Sequence, residues 1–245
     1  MVLLVLAAIG AAVIWMLPAS LIAHFLPAQI QAEDFSGSIW HGSSGRILIG
    51  SRPVGGLEWR LHPLSLLTMG VAADVHWVKG ASTIDGEVSV DRKGFVAHNV
   101  RGGGPLDDLR DFGVVPGWSG NTKLDLEEIK GSFQSLESAQ GRVEVSALAS
   151  SGIARGADLG GYVLTLQPNA GNATSVDGTI KDTGGPLDAQ AEIHYSPSSH
   201  SALLSGTVKE RPEASTALRE QLANLAQLKV RDSAGRIPID LEFTM

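Results

Sequence analysis

Alternation of apolar and polar residues with a period of two, restarted repeatedly after glycine, restricts the fold of this chain more than any other feature. Residues 82–90 place Ile84, Gly86, Val88 and Val90 on one face of an extended segment. The same alternation recurs at 122–126, 142–145, 162–166, 190–195, 202–208 and 236–243. Short strands separated by Gly, Asn, Asp and Ser predict a large, twisted antiparallel meander, packed on one side and solvated on the other. The fold class is therefore mainly β.

One segment, 215–229, has helical periodicity instead. Its leucines recur at helical spacing, at Leu218, Leu222, Leu225 and Leu228. Ser215 or Thr216 would be the N-cap. The sequence predicts one C-terminal amphipathic helix, which either packs on its own sheet or offers a partner site.

The glycine-rich run 101–105 is the strongest interruption of the strand pattern. It predicts a sub-boundary near 101–118, with an irregular segment following it. One continuous sheet crossing this loop is the alternative.

The N-terminal 32 residues contain no Asp, Glu, Lys or Arg. Because a membrane-spanning helix needs about 20 apolar residues, 1–26 is predicted as a transmembrane anchor, provided that Pro18 only kinks it. A cleaved signal peptide is the alternative, although a basic n-region and an A-x-A site are missing. No Lys or Arg precedes the helix to supply a positive-inside signal. The β-rich domain would then be 33–245.

Composition excludes several classes of function. The chain has no cysteine, so disulfide frameworks, thiolate zinc sites and cysteine nucleophiles are ruled out. Its formal net charge is -7, with no run of Lys and Arg, so nucleic acid is not expected as a partner. Charged residues make up only 18%, which argues against disorder.

No catalytic or metal-binding motif is evident in the sequence. Residues 42–45 have the composition of a nucleophile elbow without its order, and 102–104 lack the context of a dinucleotide-binding loop. The seven histidines form neither H-x-H nor H-E-x-x-H. We therefore predict that the protein is not an enzyme and uses no cofactor or metal; a hydrolase with scattered catalytic residues is a minor alternative.

Two segments, 34–45 and 57–67, have more distinctive residue patterns than the rest of the chain. The first places Ile39 and Trp40 between tight glycine positions, and the second has Trp59 and Leu61 on one strand face before Pro63. A hydrophobic plug at one end of the sheet would account for both tryptophans, and so would a binding site.

These segments resemble the type II secretion system protein N family, the inner-membrane N component of the general secretion pathway. The matching residues are 36–43, where the family reads like G-T-I-W-x-G, and 57–67. Agreement continues at 17–19, at Gly184-Gly185-Pro186-Leu187 and in the leucine helix, so the resemblance spans the chain in order. The sequence departs from the family in having Ser38 for the usual Thr and no basic residue before the anchor.

The resemblance implies a single-pass protein of the inner membrane with its body in the periplasm. It also implies a non-catalytic accessory or assembly role in the apparatus that exports folded proteins across the outer membrane. Other inner-membrane subunits of that apparatus would be its partners. The residues predicted to meet them are Ile39, Trp40, Trp59, Arg60, Leu61 and Pro63.

The family also looks related to AsmA-like proteins, whose long sheets form an apolar groove. That relationship implies an alternative function, the binding or transfer of lipid along one sheet face. The residues predicted to line such a groove are Val88, Val90, Leu124, Leu126, Val143, Val145, Leu164 and Leu166.

Overall fold

Extended strands dominate both halves of the chain. The computed structural model describes residues 16–27, 29–68, 70–112, 114, 116–132, 134–153, 156–168, 175–197, 199, 201–229 and 231–244. The chain divides into two compact units, Met1–Lys93 and Gly94–Met245.

Within the residues that the structure describes, the first unit is a five-stranded antiparallel meander, in which each strand pairs with the next one along the chain. Its strands are β1 (Ile30–Gly37), β2 (His41–Ile49), β3 (Arg52–Leu61), β4 (Val71–Lys79) and β5 (Ser82–Val90). Two 3₁₀ helices, Ala19–Phe25 and Pro63–Thr68, accompany them. The observed β5 has the bounds that alternation predicts.

The pairing of strands shows that this sheet has one apolar face and one polar face. Leu57 of β3 lies opposite Trp77 of β4, whereas the neighbouring Glu58 lies opposite His76. Because successive side chains of a strand point to opposite faces, one face is apolar and the other is polar.

The N-terminal segment differs from its prediction after residue 16. Pro18 has extended backbone angles (φ −69°, ψ 148°) and bridges Ser38, and Ala19–Phe25 is a 3₁₀ helix that contacts β1 and β2. A single helix continuing through Pro18 to Leu26 is therefore not what forms, because Ala19, only 1% exposed, packs as part of the first unit. The rest of the predicted anchor, residues 1–15, lies outside the described residues.

In the part of the chain that the structure describes, no helix combines the length and the apolarity needed to cross a bilayer.

The described residues of the second unit form an eight-stranded antiparallel meander. Its strands are β6 (Phe95–Pro105), β7 (Trp118–Gly131), β8 (Leu136–Ser150), β9 (Asp158–Pro168), β10 (Val176–Asp182), β11 (Leu187–Ser196), β12 (Ser201–Glu210) and β13 (Ile237–Thr244). A 3₁₀ helix, Leu106–Phe112, follows β6, and helix α1, Thr216–Leu228, precedes β13. The predictions of a mainly β antiparallel meander and one helix near the C-terminus are confirmed.

The glycine-rich run 101–105 lies inside a strand. Arg101 pairs with Asp125 and Pro105 with Asn121, so these residues complete the β6–β7 ladder. The division between the two units falls between Lys93 and Gly94. A chain of glycines can extend a strand where a neighbouring backbone approaches closely: a Cβ on Gly103 would collide with the carbonyl of Thr122.

Helix α1 packs on the sheet of its own unit. The Ser215 hydroxyl accepts a hydrogen bond from the Leu218 N–H (3.2 Å), which identifies Ser215 as the N-cap. Leu218 and Leu222 are buried in a cluster that contains Val208 and Ile237. The helix therefore closes the core of the second unit at one end of the sheet.

Candidate interaction site

The turn between β1 and β2 is tied to the residues that follow the apolar N-terminal segment. The Ile39 N–H donates to the Leu17 carbonyl (2.9 Å), and Ser38 forms an isolated antiparallel β-bridge with Pro18. The Ser38 N–H donates to the His41 carbonyl (2.9 Å), which closes the turn. We call this end of the first unit, where residues 17–18 meet the 37–42 turn, the anchor end.

Both predicted tryptophans pack at the anchor end. Trp40 is 8% exposed. Trp59 is partly buried, donates from Nε1 to the Ile39 carbonyl (3.0 Å) and meets Phe35 edge to face, with ring centroids 6.4 Å apart. Their burial agrees with the hydrophobic-plug interpretation of these residues, because an indole that is already enclosed offers little surface to a partner.

Gly42 of the family-like motif has a steric explanation. A Cβ at this position would lie 2.6 Å from the Ser38 carbonyl oxygen, 2.6 Å from a ring carbon of Trp59 and 3.0 Å from the Cβ of Ala19. Only glycine lets the turn, the indole and the 3₁₀ helix approach this closely. The motif residues 38–42 thus form one packed unit.

The second predicted segment joins the same end. The Leu61 N–H donates to the Trp40 carbonyl (2.8 Å), and Pro63 begins the second 3₁₀ helix directly afterwards. Leu61 is partly buried, whereas Arg60 and Pro63 are exposed. The structure therefore brings all six predicted partner residues to the anchor end, and it leaves Arg60 and Pro63 as the accessible members.

The polar face of the first unit carries a row of hydrogen-bonded groups that sequence reasoning missed. Ser36 and Ser43 hydroxyls lie 2.8 Å apart, and His76 Nδ1 lies 2.6 Å from Asp85 Oδ1. Together with Glu58 they line a shallow, open depression across β1 to β5. Only the register between β4 and β5 shows which carboxylate His76 faces.

The predicted groove residues of the second unit share one face of its sheet. Leu124 lies opposite Val143 and Val143 opposite Leu164, and Leu166 lies two positions along β9 from Leu164. Directly paired residues point to the same side of an antiparallel sheet, and so do residues two apart. Leu126 and Val145 follow the same parity.

The same apolar face continues over four strands that the prediction did not include. From Leu164 the row proceeds through Ile180, Ala191, Gly206 and Ile239. The neighbouring row contains Leu166, Gly178, Ile193, Leu204 and Leu241. The alternation within 190–195, 202–208 and 236–243 was the signal that could have extended the list.

Helix α1 covers only part of this face. Its buried cluster reaches Leu187, Val208 and Ile237 at one end of the strands. Farther along β13, Leu241 and Phe243 are each 47% exposed. The face is therefore closed at the helix and accessible toward the chain terminus.

Val88 and Val90, the two remaining groove residues, lie in the first unit. Val88 is opposite Ala73 and Val90 is opposite Val71, on the apolar face of that sheet. They belong to a different unit from the other six predicted groove residues.

The glycine pair of the late motif packs backbone against backbone. Gly185, with φ +118°, directs its missing side chain at Gly160, whose Cα would lie 2.7 Å from a Cβ. The Gly161 N–H donates to the Gly184 carbonyl (3.3 Å). This motif therefore has a structural role at the β10–β11 turn.

Tyr162 on β9 is a titratable group whose pKa is changed by its surroundings. Its hydroxyl donates to the Leu159 carbonyl (2.9 Å). The pKa of Tyr162 is raised from 10.0 to about 12, mainly by burial and further by the negative charges of Asp182 and Asp158, while Arg211 opposes the increase. The phenol is thus kept neutral as a structural donor.

Taken together, these features define a class: an antiparallel β-meander protein whose distinctive motifs build packed turns and an extended apolar face. Among the described residues, no group of three or more His, Asp or Glu side chains is arranged to hold a metal ion.

A family model narrows that class. The model of the type II secretion system (T2SS) protein N matches residues 28–240. The chain belongs to this family. Neither a curated protein nor a solved structure gives a significant match to the chain.

Proposed function

We propose that this protein is a non-catalytic accessory or assembly subunit of the type II secretion system, held in the inner membrane with its body in the periplasm. The observation that carries the proposal is the family match over 28–240, which includes both units of the fold. The partners are other inner-membrane subunits of the same system.

The membrane location is supported by the sequence before Pro18. Residues 2–17 are almost wholly Val, Leu, Ile and Ala, and no charged residue occurs before Glu33. The 17–18 segment is hydrogen bonded to the 37–42 turn, so a membrane holding the N-terminal segment would lie beside the anchor end. The single-pass orientation with a periplasmic body is part of the proposal.

Partner contact is proposed on the exposed residues of the anchor end. Arg60 projects from the polar face and is exposed, and Pro63 is exposed at the start of its 3₁₀ helix. Trp40 and Trp59 would support this surface from inside.

The test is a photocrosslinking experiment in native membranes. A photoreactive residue replaces Arg60 in one variant and Ser51 in a control, because Ser51 is exposed in the turn at the opposite end of β3. We expect adducts with secretion-system subunits from position 60 and not from position 51. Equal labelling at both positions, or adducts that contain none of these subunits, would refute the proposed contact.

The alternative, an AsmA-like lipid-binding or lipid-transfer module, is favoured by one specific observation. The second unit has an apolar face that runs without interruption from β7 to β13, and helix α1 covers one end of it. An accessible apolar surface of this kind usually has an occupant.

Two aspartate variants separate this alternative from the secretion role. Leu241→Asp alters the apolar face, and Leu203→Asp is its matched control because Leu203, 50% exposed, lies on the opposite face. If lipid occupies the face, phospholipid that co-purifies with the protein is lost in Leu241→Asp and retained in Leu203→Asp. Equal lipid content in both variants would eliminate the alternative.

A further inference from the structure

An exposed leucine lies on the 3₁₀ helix at the anchor end of the first unit. Leu64, in the 3₁₀ helix Pro63–Thr68, is 77% exposed. Met16, directly before the hydrogen-bonded residue Leu17, is 78% exposed, and Val71 at the start of β4 is 43% exposed. Hydrogen bonds from Ile39 to Leu17 and from Leu61 to Trp40 bring the segments that carry Met16 and Leu64 to the same end.

Side-chain hydrogen bonds hold the start of this helix in place. The Ser65 hydroxyl donates to the His62 carbonyl (2.6 Å) and accepts from the Ala72 N–H (3.0 Å). The His62 N–H also donates to the Ala72 carbonyl (2.8 Å). These hydrogen bonds hold the residues on either side of Leu64 against β4, so the backbone that carries the exposed Leu64 side chain is tied to the sheet.

The charge pattern around the helix is typical of a surface that meets lipid. From Pro63 to Ala73 the sequence has no Asp, Glu, Lys, Arg or His. The segment is bounded by His62 and Asp74, whose side chains lie 3.1 Å apart. At the same end, Val90 pairs with Val71, and the exposed residues Asp91, Arg92 and Lys93 follow it. Arg92 and Lys93 outnumber Asp91, so the net charge beside the apolar patch is positive. Such a charge attracts the phosphates of anionic headgroups.

We propose that Leu64, with Met16 and Val71, forms a membrane-contact patch that inserts into the interfacial region of the bilayer beside the N-terminal anchor. The occupant is a lipid surface because the apolar segment 1–15 ends at Met16, so a bilayer that holds that segment begins where the patch lies. The first unit is then attached to the membrane at two places, which sets the orientation of its sheet. This inference rests on the proposed membrane anchoring.

The absence of cysteine makes the test direct, because every introduced cysteine is the only labelling site. We would label Leu64→Cys, Met16→Cys and Ser51→Cys in the full-length chain with the environment-sensitive fluorophore NBD. Each protein is reconstituted into nanodiscs of phosphatidylcholine and phosphatidylglycerol, with or without lipid that carries a doxyl quencher high on the acyl chain. Ser51 is the control because β2 separates it from the anchor end by about 30 Å at roughly 3.3 Å per residue.

We expect the label at position 64 to shift to the blue and to lose about half or more of its emission to doxyl lipid, as expected for burial of roughly 5–10 Å. Position 51 should show neither change. Quenching at position 16 without quenching at 64 would overturn the inference and leave the anchor intact. Quenching at neither position would overturn both the patch and the membrane location. Protection of position 64 only after a secretion subunit is added would identify a protein contact and overturn the lipid assignment.

Discussion

Arg211 and Asp182 form a clamp across the β10–β11 turn, with Arg211 Nη2 donating to Asp182 Oδ1 over 2.6 Å. Asp182, whose side chain is 9% exposed, also accepts from the N–H groups of Gly184 and Ala189, each at 3.2 Å. Arg211 donates in addition to the Gly185 carbonyl (3.1 Å). The hydrogen bond with Asp182 raises the pKa of Arg211, so this side chain stays charged. The late family motif is thus held by charge as well as by close backbone packing.

Removal of the Asp182 carboxylate should destabilise the second unit. Asp182→Ala leaves two backbone N–H groups and Arg211 without their acceptor, and we expect the free energy of unfolding to fall by about 2 kcal/mol. Urea unfolding measures it. The control is Asp125→Ala, since Asp125 and Arg101 form an exposed pair that is worth at most about 1 kcal/mol. Equal losses in the two variants would show that the clamp has no special role.

Gly185 should not tolerate a side chain. Gly185→Ala combines a positive φ with a collision against Gly160, so a loss of about 1–3 kcal/mol in unfolding free energy is expected. Gly152→Ala is the matched substitution in the same unit, because among the described residues the one atom within 4 Å of a Cβ at this position is the Ser150 hydroxyl oxygen, at 3.9 Å. It should change stability by no more than about 0.5 kcal/mol. A stable Gly185→Ala variant would contradict the steric explanation.

Stability should decrease as pH rises from about 10 to about 12, in part because of Tyr162. The unfolded chain loses the phenolic proton of Tyr162 near the ordinary tyrosine pKa of 10.0, whereas the folded protein retains this proton to a higher pH. Because the folded pKa is raised, the stabilisation is complete below pH 10 and is lost above it. Tyr162→Phe should flatten the decrease, which chemical unfolding of the wild type and the variant at several pH values between about 9 and 12 measures. Identical slopes in the wild type and Tyr162→Phe would disprove the assignment.

Trp40→Ala should act on folding before it acts on any partner. A buried tryptophan truncated to alanine costs about 3–5 kcal/mol, and Trp40 is 8% exposed. Leu64→Ala at the same end should cost no more than about 0.5 kcal/mol because Leu64 is 77% exposed. Thermal unfolding distinguishes the two. If Trp40→Ala were as stable as the wild type, the Trp40 indole would contribute nothing to the stability of the fold. The plug interpretation of Trp40 would then fail.

The N-cap of α1 can be assigned experimentally between two adjacent hydroxyls. Ser215→Ala removes the acceptor of the Leu218 N–H and should lower the unfolding free energy by about 1 kcal/mol. Thr216→Ala lies inside the helix and should be neutral or slightly stabilising, since alanine is the better helix former. The reverse order of the two effects would move the cap to Thr216.

Much of the fold could be predicted from local pattern alone. Alternation identified seven strand segments, and leucine spacing located α1, because side-chain direction has a fixed period in each kind of element. Local pattern was not decisive where it competed with strand pairing. The run 101–105 has the composition of a loop, but Thr122 and Lys123 approach it so closely that glycine is required inside the strand.

The N-terminal segment also shows that a local pattern does not determine tertiary packing, in this case at the candidate site. Hydropathy treats 18–26 as a continuation of the apolar run, yet Ala19 packs against the first unit beside Gly42 and Trp59. Hydropathy measures transfer out of water and does not distinguish a bilayer from a protein core.

By itself, the sequence determined the mainly β class, the apolar side of the seven strand segments that alternation identified, the absence of cysteine chemistry and the resemblance to a secretion family. Only the tertiary structure decided which rows align across the sheet, that Trp40 is enclosed while Leu64 is exposed, and that Asp182 clamps the glycine turn. The physical reason is that periodicity sets the direction of a side chain along one strand, whereas burial and partners depend on register between strands distant in sequence.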